Sequence, residues 1–314
     1  MPISELNSTV NPPLSAAPIS GVWAAVVTPR RETGHEIDIA STLDIIDFLN
    51  ESPVTGLSIL GSTGEFVHFD FEQRLHLMRF AIKRSQKPVL PNITHSTLDG
   101  TIGIGQQAID YGAAGLLAMP PYYFRYSPGD IRRFYLELSD ALSDAQLFLY
   151  NIPFFSTPLP VELACELLET GRFAGIKDSS GDPAYYQRLL QLRATKTFSL
   201  IIGNDCVFAE ARLAGVDGVV SGVAGALPEL VCAMEVAALS NQPAVVAKLN
   251  VLLTEAIGWL DKFPVPVALK RAVALRGLRE GNYAVPPAGF AEFDAWFAGF
   301  LPRTLAAVGP TAKQ

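Results

Sequence analysis

Eight short apolar runs punctuate the chain, beginning near Val22, Gly56, Pro88, Gly115, Gln146, Phe173, Ser199 and Gly218, at spacings of 19 to 34 residues. That spacing is the size of one strand, one helix and their loops. Several runs (GLSIL, GLLAM, LFLY, SLII) are apolar at every position rather than at alternate ones, the pattern of a parallel strand covered on both faces. Between them, apolar positions return every three or four residues. Ile39, Leu43, Ile46 and Leu49 form one such set; Phe71, Leu75, Met78 and Ile82 a second; Ile131, Phe134, Leu138 and Leu142 a third. Each reads as an amphipathic helix with one buried stripe. Gly112, Gly171 and Gly215 stand where a helix ends and the next run begins, the place for a left-handed residue just past the last turn.

Eight such units predict a (β/α)8 or TIM barrel over residues 21–225. An open doubly wound sheet is the competing arrangement. It needs a G-x-G-x-x-G turn after the first strand, and that strand runs instead into Thr28-Pro29-Arg30-Arg31. After the eighth run the pattern stays helical to about Val308, broken at Gln242-Pro243, Phe263-Pro264 and Val285-Pro286-Pro287. It predicts a C-terminal three-helix extension of the same domain over 226–308. Residues 1–20, rich in Pro, Ser and Asn, read as a mobile tail, and 309–314 as a second tail.

Composition narrows the function. Of 314 residues, 49% are hydrophobic and 18% charged, which excludes a disordered or collagenous chain. So few charges suit a large, well-covered body that hides further surface in a homo-oligomer. Twenty-four Lys+Arg against 31 Asp+Glu leave a net charge of −7, which repels nucleic acid and anionic membranes. No uninterrupted apolar run reaches about 18 residues, and the first 20 residues lack the basic start and apolar centre of a secretory signal. The expectation is a cytoplasmic protein with no nucleic-acid and no membrane partner. Cys165, Cys206 and Cys232 form no CxxC or CxH pair, so they read as reduced apolar filler. His35, His68, His76 and His95 have no paired ligand spacing, and no metal is expected.

In such a barrel the chemistry sits where strands end. Those ends carry Thr28, Ser62-Thr63, residues 92–95, Tyr122-Tyr123, Tyr150, Lys177, Asn204-Asp205 and Ser221. Lys177 follows an apolar run with no other charge. An ammonium held there loses hydration, which favours the neutral, nucleophilic amine. Taken alone it is as readily a strand-end lysine that reaches water beside Asp178. The segment GSTGE at 61–65 could hold a carboxylate on its backbone N–H groups and two hydroxyls, or could merely cap the next helix. A phenol at the height of Tyr150 could shuttle protons, or could be a core tyrosine with a satisfied hydroxyl.

Four motifs, GSTGE at 61–65, PPYY at 120–123, YNIP at 150–153 and GIKDSSGD at 175–182, together resemble the dihydrodipicolinate synthase / N-acetylneuraminate lyase family over about residues 20–300. The resemblance implies a tetramer built as a dimer of dimers, and class I chemistry with no cofactor and no metal. In that chemistry a lysine forms a Schiff base with pyruvate or another 2-oxo acid. By resemblance, Lys177 is the Schiff-base lysine and Tyr150 the general acid/base. Ser62 and Thr63 bind the carboxylate, with Thr63 or its neighbour joining Tyr150 in a proton relay. Tyr123 resembles a tyrosine lent to that relay across a dimer interface. Asp205 aligns with an aspartate that sialic acid lyases use on the substrate's hydroxylated tail, and Ser221, at the end of the eighth strand, is counted among the substrate-binding residues.

The departures bear on substrate. Phe155 stands where dihydrodipicolinate synthases have an arginine for a distal carboxylate, a loss of about 2–5 kcal/mol of recognition. Phe66-Val67 replace the small pair near their feedback site, Cys206 replaces a glutamate of sialic acid lyases, and Gly222 a polar residue. Phe154, Phe155, Phe66 and Phe124 give the expected mouth an aromatic character, suited to a less polar aldehyde or a short deoxy-sugar acid. The resulting expectation is a Schiff-base-dependent lyase or aldolase acting on pyruvate or a pyruvate-derived 2-oxo acid. The alternatives are a dihydrodipicolinate synthase, disfavoured by Phe155, a 2-keto-3-deoxy sugar acid dehydratase, and a non-catalytic small-acid-binding barrel.

Overall fold

The computed structural model describes residues 18–309 with the exception of Gly34. The expected tails lie outside the described residues, apart from 18–20 and 309. Strands β1 (Gly21–Ala25), β2 (Gly56–Ile59), β3 (Val89–Pro91), β4 (Leu116–Ala118), β5 (Leu147–Asn151), β6 (Gly175–Asp178), β7 (Ser199–Ile202) and β8 (Gly218–Ser221) each lead into a helix. Those helices are α1 (Ile39–Asn50), α2 (Phe71–Arg84), α3 (Leu98–Tyr111), α4 (Pro128–Ala141), α5 (Val161–Glu169), α6 (Pro183–Arg193), α7 (Phe208–Ala214) and α8 (Pro228–Leu239). The strands pair in parallel in the order β3-β2-β1-β8-β7-β6-β5-β4. A parallel bridge from Asn92 to Leu117 closes the ring between β3 and β4. This is the TIM barrel that the run spacing predicts.

The local signals act as their chemistry requires. Strands β2 to β8 are buried at every position, because side chains inside the ring and helices outside it cover both faces. Gly112, Gly171 and Gly215 take φ of 91°, 72° and 107°, ending α3, α5 and α7. Asp70 opens α2 by accepting the Gln73 N–H (2.8 Å) while the Gln73 side chain accepts the Asp70 N–H (3.2 Å), a reciprocal cap. Gly218 is dictated by proximity: a Cβ there would run into the backbone of Gly21 on the neighbouring strand.

Four helices follow β8, which moves the expected boundary at 225/226. The first of them, α8, packs against α7 and β1 and covers the barrel's outer face as the eighth helix of the ring. The ring therefore runs to Leu239. The three-helix extension is α9 (Pro243–Leu260), α10 (Val267–Leu275) and α11 (Ala291–Val308). Among the described residues, α9 alone has the length and mean hydropathy (1.3) of a membrane-spanning helix. Its Val246, Leu249, Leu252, Leu253 and Ala256 are buried, and Glu255 accepts from Trp296 (2.9 Å) and Arg303 (2.6 Å) of α11.

Gly218→Ala should destabilise the fold by about 1–3 kcal/mol, the usual cost of forcing extra volume into a packed interior. The urea midpoint measures this, and an unchanged midpoint would show that β8 and β1 can separate freely.

Candidate active site

The site begins with a strand register. In the parallel pair β5–β6, Tyr150 stands opposite Lys177 and Asn151 opposite Asp178. Paired residues face the same side and successive residues opposite sides, so Tyr150 and Lys177 enter the barrel together. Asn151 and Asp178 face away, where the Asn151 amide donates to the Asp178 carboxylate (2.8 Å). Lys177 is buried, with Nζ 4.2 Å from the centre of the Tyr150 ring. Asp178 is occupied elsewhere, accepting also from the Ser180 N–H (3.1 Å) and hydroxyl (2.8 Å). Burial raises its carboxyl above the ordinary range. The pairing of Lys177 with Asp178 that a strand-end lysine would use is absent.

Residues 61–65 form a turn held at both ends by left-handed backbone, Leu60 at φ 56° and Glu65 at φ 53°. Each costs about 1–3 kcal/mol for a residue with a side chain. The turn does not cap α2, which Asp70 caps. It carries the Ser62 hydroxyl to 3.5 Å from the Tyr150 hydroxyl, and Glu65 is anchored by a buried ion pair with Lys270 of α10 (3.2 Å).

Ser62 and Thr63 line one wall of a cavity of about 200 Å³. Asn204, Asp205 and Ser179 line another part, and Phe154, Phe155, Leu260 and Val265 its outer part. The lysine stem packs behind Gly203 of this wall, where a Cβ would collide with Lys177 Cε. Asp205 accepts the Val223 N–H through Oδ2 (3.3 Å), and its Oδ1 is buried with no partner among the described residues. Burial raises this carboxyl too.

The remaining expected residues fall elsewhere. Ser62, not Thr63, touches Tyr150. Ser221 is fully buried and accepts the Ala224 N–H (2.9 Å), so it stands behind the cavity wall. Tyr123 is 87% exposed, at φ 79°, with its ring against Phe124 (5.0 Å), and it is not brought to Tyr150 within the chain. Phe66 is buried edge-on to Tyr122 (5.4 Å) and under the Arg74 guanidinium (5.1 Å), which removes it from the mouth. Cys165 and Cys232 are buried, but Cys206 is exposed on the cavity wall and is no filler. Asn92 and His95 serve the scaffold. Asn92 donates to Leu60 O (2.8 Å), and His95 Nδ1 accepts the Thr97 N–H (3.2 Å).

Sequence reasoning missed Ser179, whose buried hydroxyl has no partner among the described residues and which lines the cavity. Its signal was available: it follows Lys177 by two, and a strand period of two puts both on one face. Lys270 carried no local signal.

Residues 18–295 match the Dihydrodipicolinate synthetase family. The chain belongs to this family. Family members are lyases and aldolases, and this chain is an enzyme of that class. The 4-hydroxy-tetrahydrodipicolinate synthase of Methanosarcina barkeri is 26% identical over 273 residues, covering 87% of this chain and 93% of its own. A prophage protein of E. coli K12 from the dihydrodipicolinic acid synthase family, solved in complex with pyruvate, is 26% identical with a TM-score of 0.83, covering 92% and 99%. The sialic acid aldolase of Ruminococcus gnavus shares the fold (TM-score 0.84, 21% identity, covering 91% and 97%).

The buried Asp205 carboxyl gives this family member a measurable pH signature. The folded state holds that proton more tightly than the unfolded state, whose value is near the ordinary 3.8. The stability this contributes is therefore full below 3.8 and lost as pH rises through the folded value. Asp205→Asn lacks the effect, so its urea midpoint relative to the unmodified protein should rise with pH from about 4 and level off once pH passes the folded value. A difference independent of pH would contradict the raised value.

Proposed function

We propose that this enzyme is a Schiff-base-dependent lyase or aldolase acting on pyruvate or a pyruvate-derived 2-oxo acid. The observation that carries the reading is the buried Lys177 amine 4.2 Å from the Tyr150 ring, with the Tyr150 hydroxyl 3.5 Å from Ser62. In this reading Lys177 is the nucleophile, Tyr150 the proton carrier and the 61–65 turn the carboxylate site.

The Lys177 amine adds to the keto carbon, and loss of water from the carbinolamine leaves an iminium. The carboxylate rests on the 61–65 turn and the hydroxyls of Ser62 and Thr63. As the C3–C4 bond breaks, its electron pair enters the iminium to give an enamine. Tyr150, left as phenolate after giving its proton to the hydroxyl that departs from the carbinolamine, takes the proton of the C4 hydroxyl, with the Ser62 hydroxyl beside it. Protonation at C3 and addition of water then release the 2-oxo acid and restore the amine. Tyr123, from a second copy of the chain, would complete the relay in a homotetramer, and the compartment is the cytoplasm.

The outer cavity bears on the aldehyde. Among the described residues no Lys, Arg or His lines the cavity as a whole, whereas Asp205 and Asp261 do. A second carboxylate on the substrate would meet two acids and no base, an unfavourable desolvation. Phe155 in the wall supports the same conclusion, so an uncharged aldehyde is preferred over the semialdehyde of a dihydrodipicolinate synthase. The partnerless Ser179 hydroxyl and Asp205 oxygen suit a hydroxyl near the reacting carbon. They also keep dehydration of a 2-keto-3-deoxy sugar acid as the second reading.

Borohydride reduction in the presence of pyruvate should add one reduced pyruvyl group, located at Lys177 by peptide mapping. An unmodified Lys177 would overturn the reading. Tyr150→Phe should lower turnover by about 10²–10⁴-fold, the range of general acid–base catalysis. Phe155→Arg should raise kcat/KM for a carboxylate-bearing aldehyde over a neutral one by about tenfold, equivalent to roughly 1.4 kcal/mol.

A further inference from the structure

We propose that the Lys270–Glu65 ion pair is a clasp by which the helical extension holds the 61–65 turn in its carboxylate-binding shape, so that both are positioning residues for Ser62 and Thr63. The inference rests on the proposed reading that this turn receives a 2-oxo acid.

Glu65 is the turn's last residue and Lys270 lies on α10, 205 positions away in the chain. Lys270 is fully buried and Glu65 nearly so. The ammonium donates to Glu65 Oε2 (3.2 Å) and to Asn282 O (2.8 Å), and sits over the Tyr283 ring (4.9 Å). The other Glu65 oxygen, Oε1, lies 3.3 Å from His68 Nδ1. The carboxylate is thus gripped from both sides, and Glu65 cannot leave its left-handed backbone without dragging buried charge through the interior.

That backbone is what aims the turn. The Glu65 N–H donates to Ser62 O (3.1 Å) and the Phe66 N–H to Gly61 O (3.4 Å), so rotating residue 65 redirects the two hydroxyl-bearing residues. The neighbours of Lys270 on α10, Ala268 and Leu269, line the cavity itself. One helix therefore supplies both wall and anchor. A buried ion pair gives less stability than a well-packed apolar pair of similar volume, so geometry is the property this one supplies. Neither Lys270 nor Glu65 lines the cavity, and both act through the turn.

The test is the pyruvate dependence of borohydride trapping at Lys177, which separates half-saturation from maximal rate without knowledge of the aldehyde. Glu65→Gln and Lys270→Met should raise half-saturation about tenfold or more, with maximal rate changed less than about threefold. The double variant removes both charges, so its thermal midpoint should recover toward that of the unmodified protein. Its half-saturation should stay raised. A purely structural pair predicts lowered midpoints with unchanged half-saturation in the folded variants, and that result overturns the clasp alone. Should Lys270→Met not fold, Glu65→Gln and the double variant give the same reading. Absence of any adduct in the unmodified protein overturns the proposed function and the clasp with it.

Discussion

The hydrogen-bonded register between β5 and β6 is the constraint on which the rest of the site depends. Parallel pairing sets Tyr150 level with Lys177, and the period of two then faces both inward. A slip of one residue in either strand would present Asn151 or Asp178 to the interior instead. The outward Asn151–Asp178 hydrogen bond helps to fix that register, because it forms only when the inward pair is level. The inward pair and its counterparts on the outer face are thus two sides of one alignment.

Neither member of this pair lines the adjoining cavity, which is divided by chemistry. At one end lies a turn of hydroxyls and backbone N–H groups, and at the other a rim of phenylalanine, leucine and valine with two acids. An anion is welcome at the first and unwelcome at the second. A 2-oxo acid with a neutral tail, the substrate class proposed above, would fit such polarity in one orientation.

Much of this was legible in the sequence, and what was not has physical causes. Strand starts and helix stripes were readable because burial on two faces, or on one, leaves different apolar periods. Lys177, Tyr150 and Ser62 were readable because strand ends in a barrel converge. The assignment of α8 to the ring was not, since periodicity tells that a helix has a buried face but not what covers it. The choice of Ser62 over Thr63 as the neighbour of Tyr150 depends on the left-handed backbone of Leu60 and Glu65, which no residue type announces. Ser221 reads as a rim hydroxyl, yet it folds back to satisfy the Ala224 N–H. Cys206, expected as filler, is exposed on the cavity wall, and Phe66, expected at the mouth, is buried. Lys270 lies beyond the reach of any local pattern, since its partner is 205 positions distant.

The closure of the ring between β3 and β4 has a mechanical consequence. Every other neighbouring pair of strands shares a ladder, but these two, each three residues long, meet through the single bridge from Asn92 to Leu117. A cylinder with one thin seam is not uniformly stiff. The segment carrying Tyr122 and Tyr123 follows β4 at this seam, whereas Lys177 and Tyr150 lie on strands joined to their neighbours by full ladders. The weakest closure of the ring thus lies apart from the strands that hold Tyr150 level with Lys177.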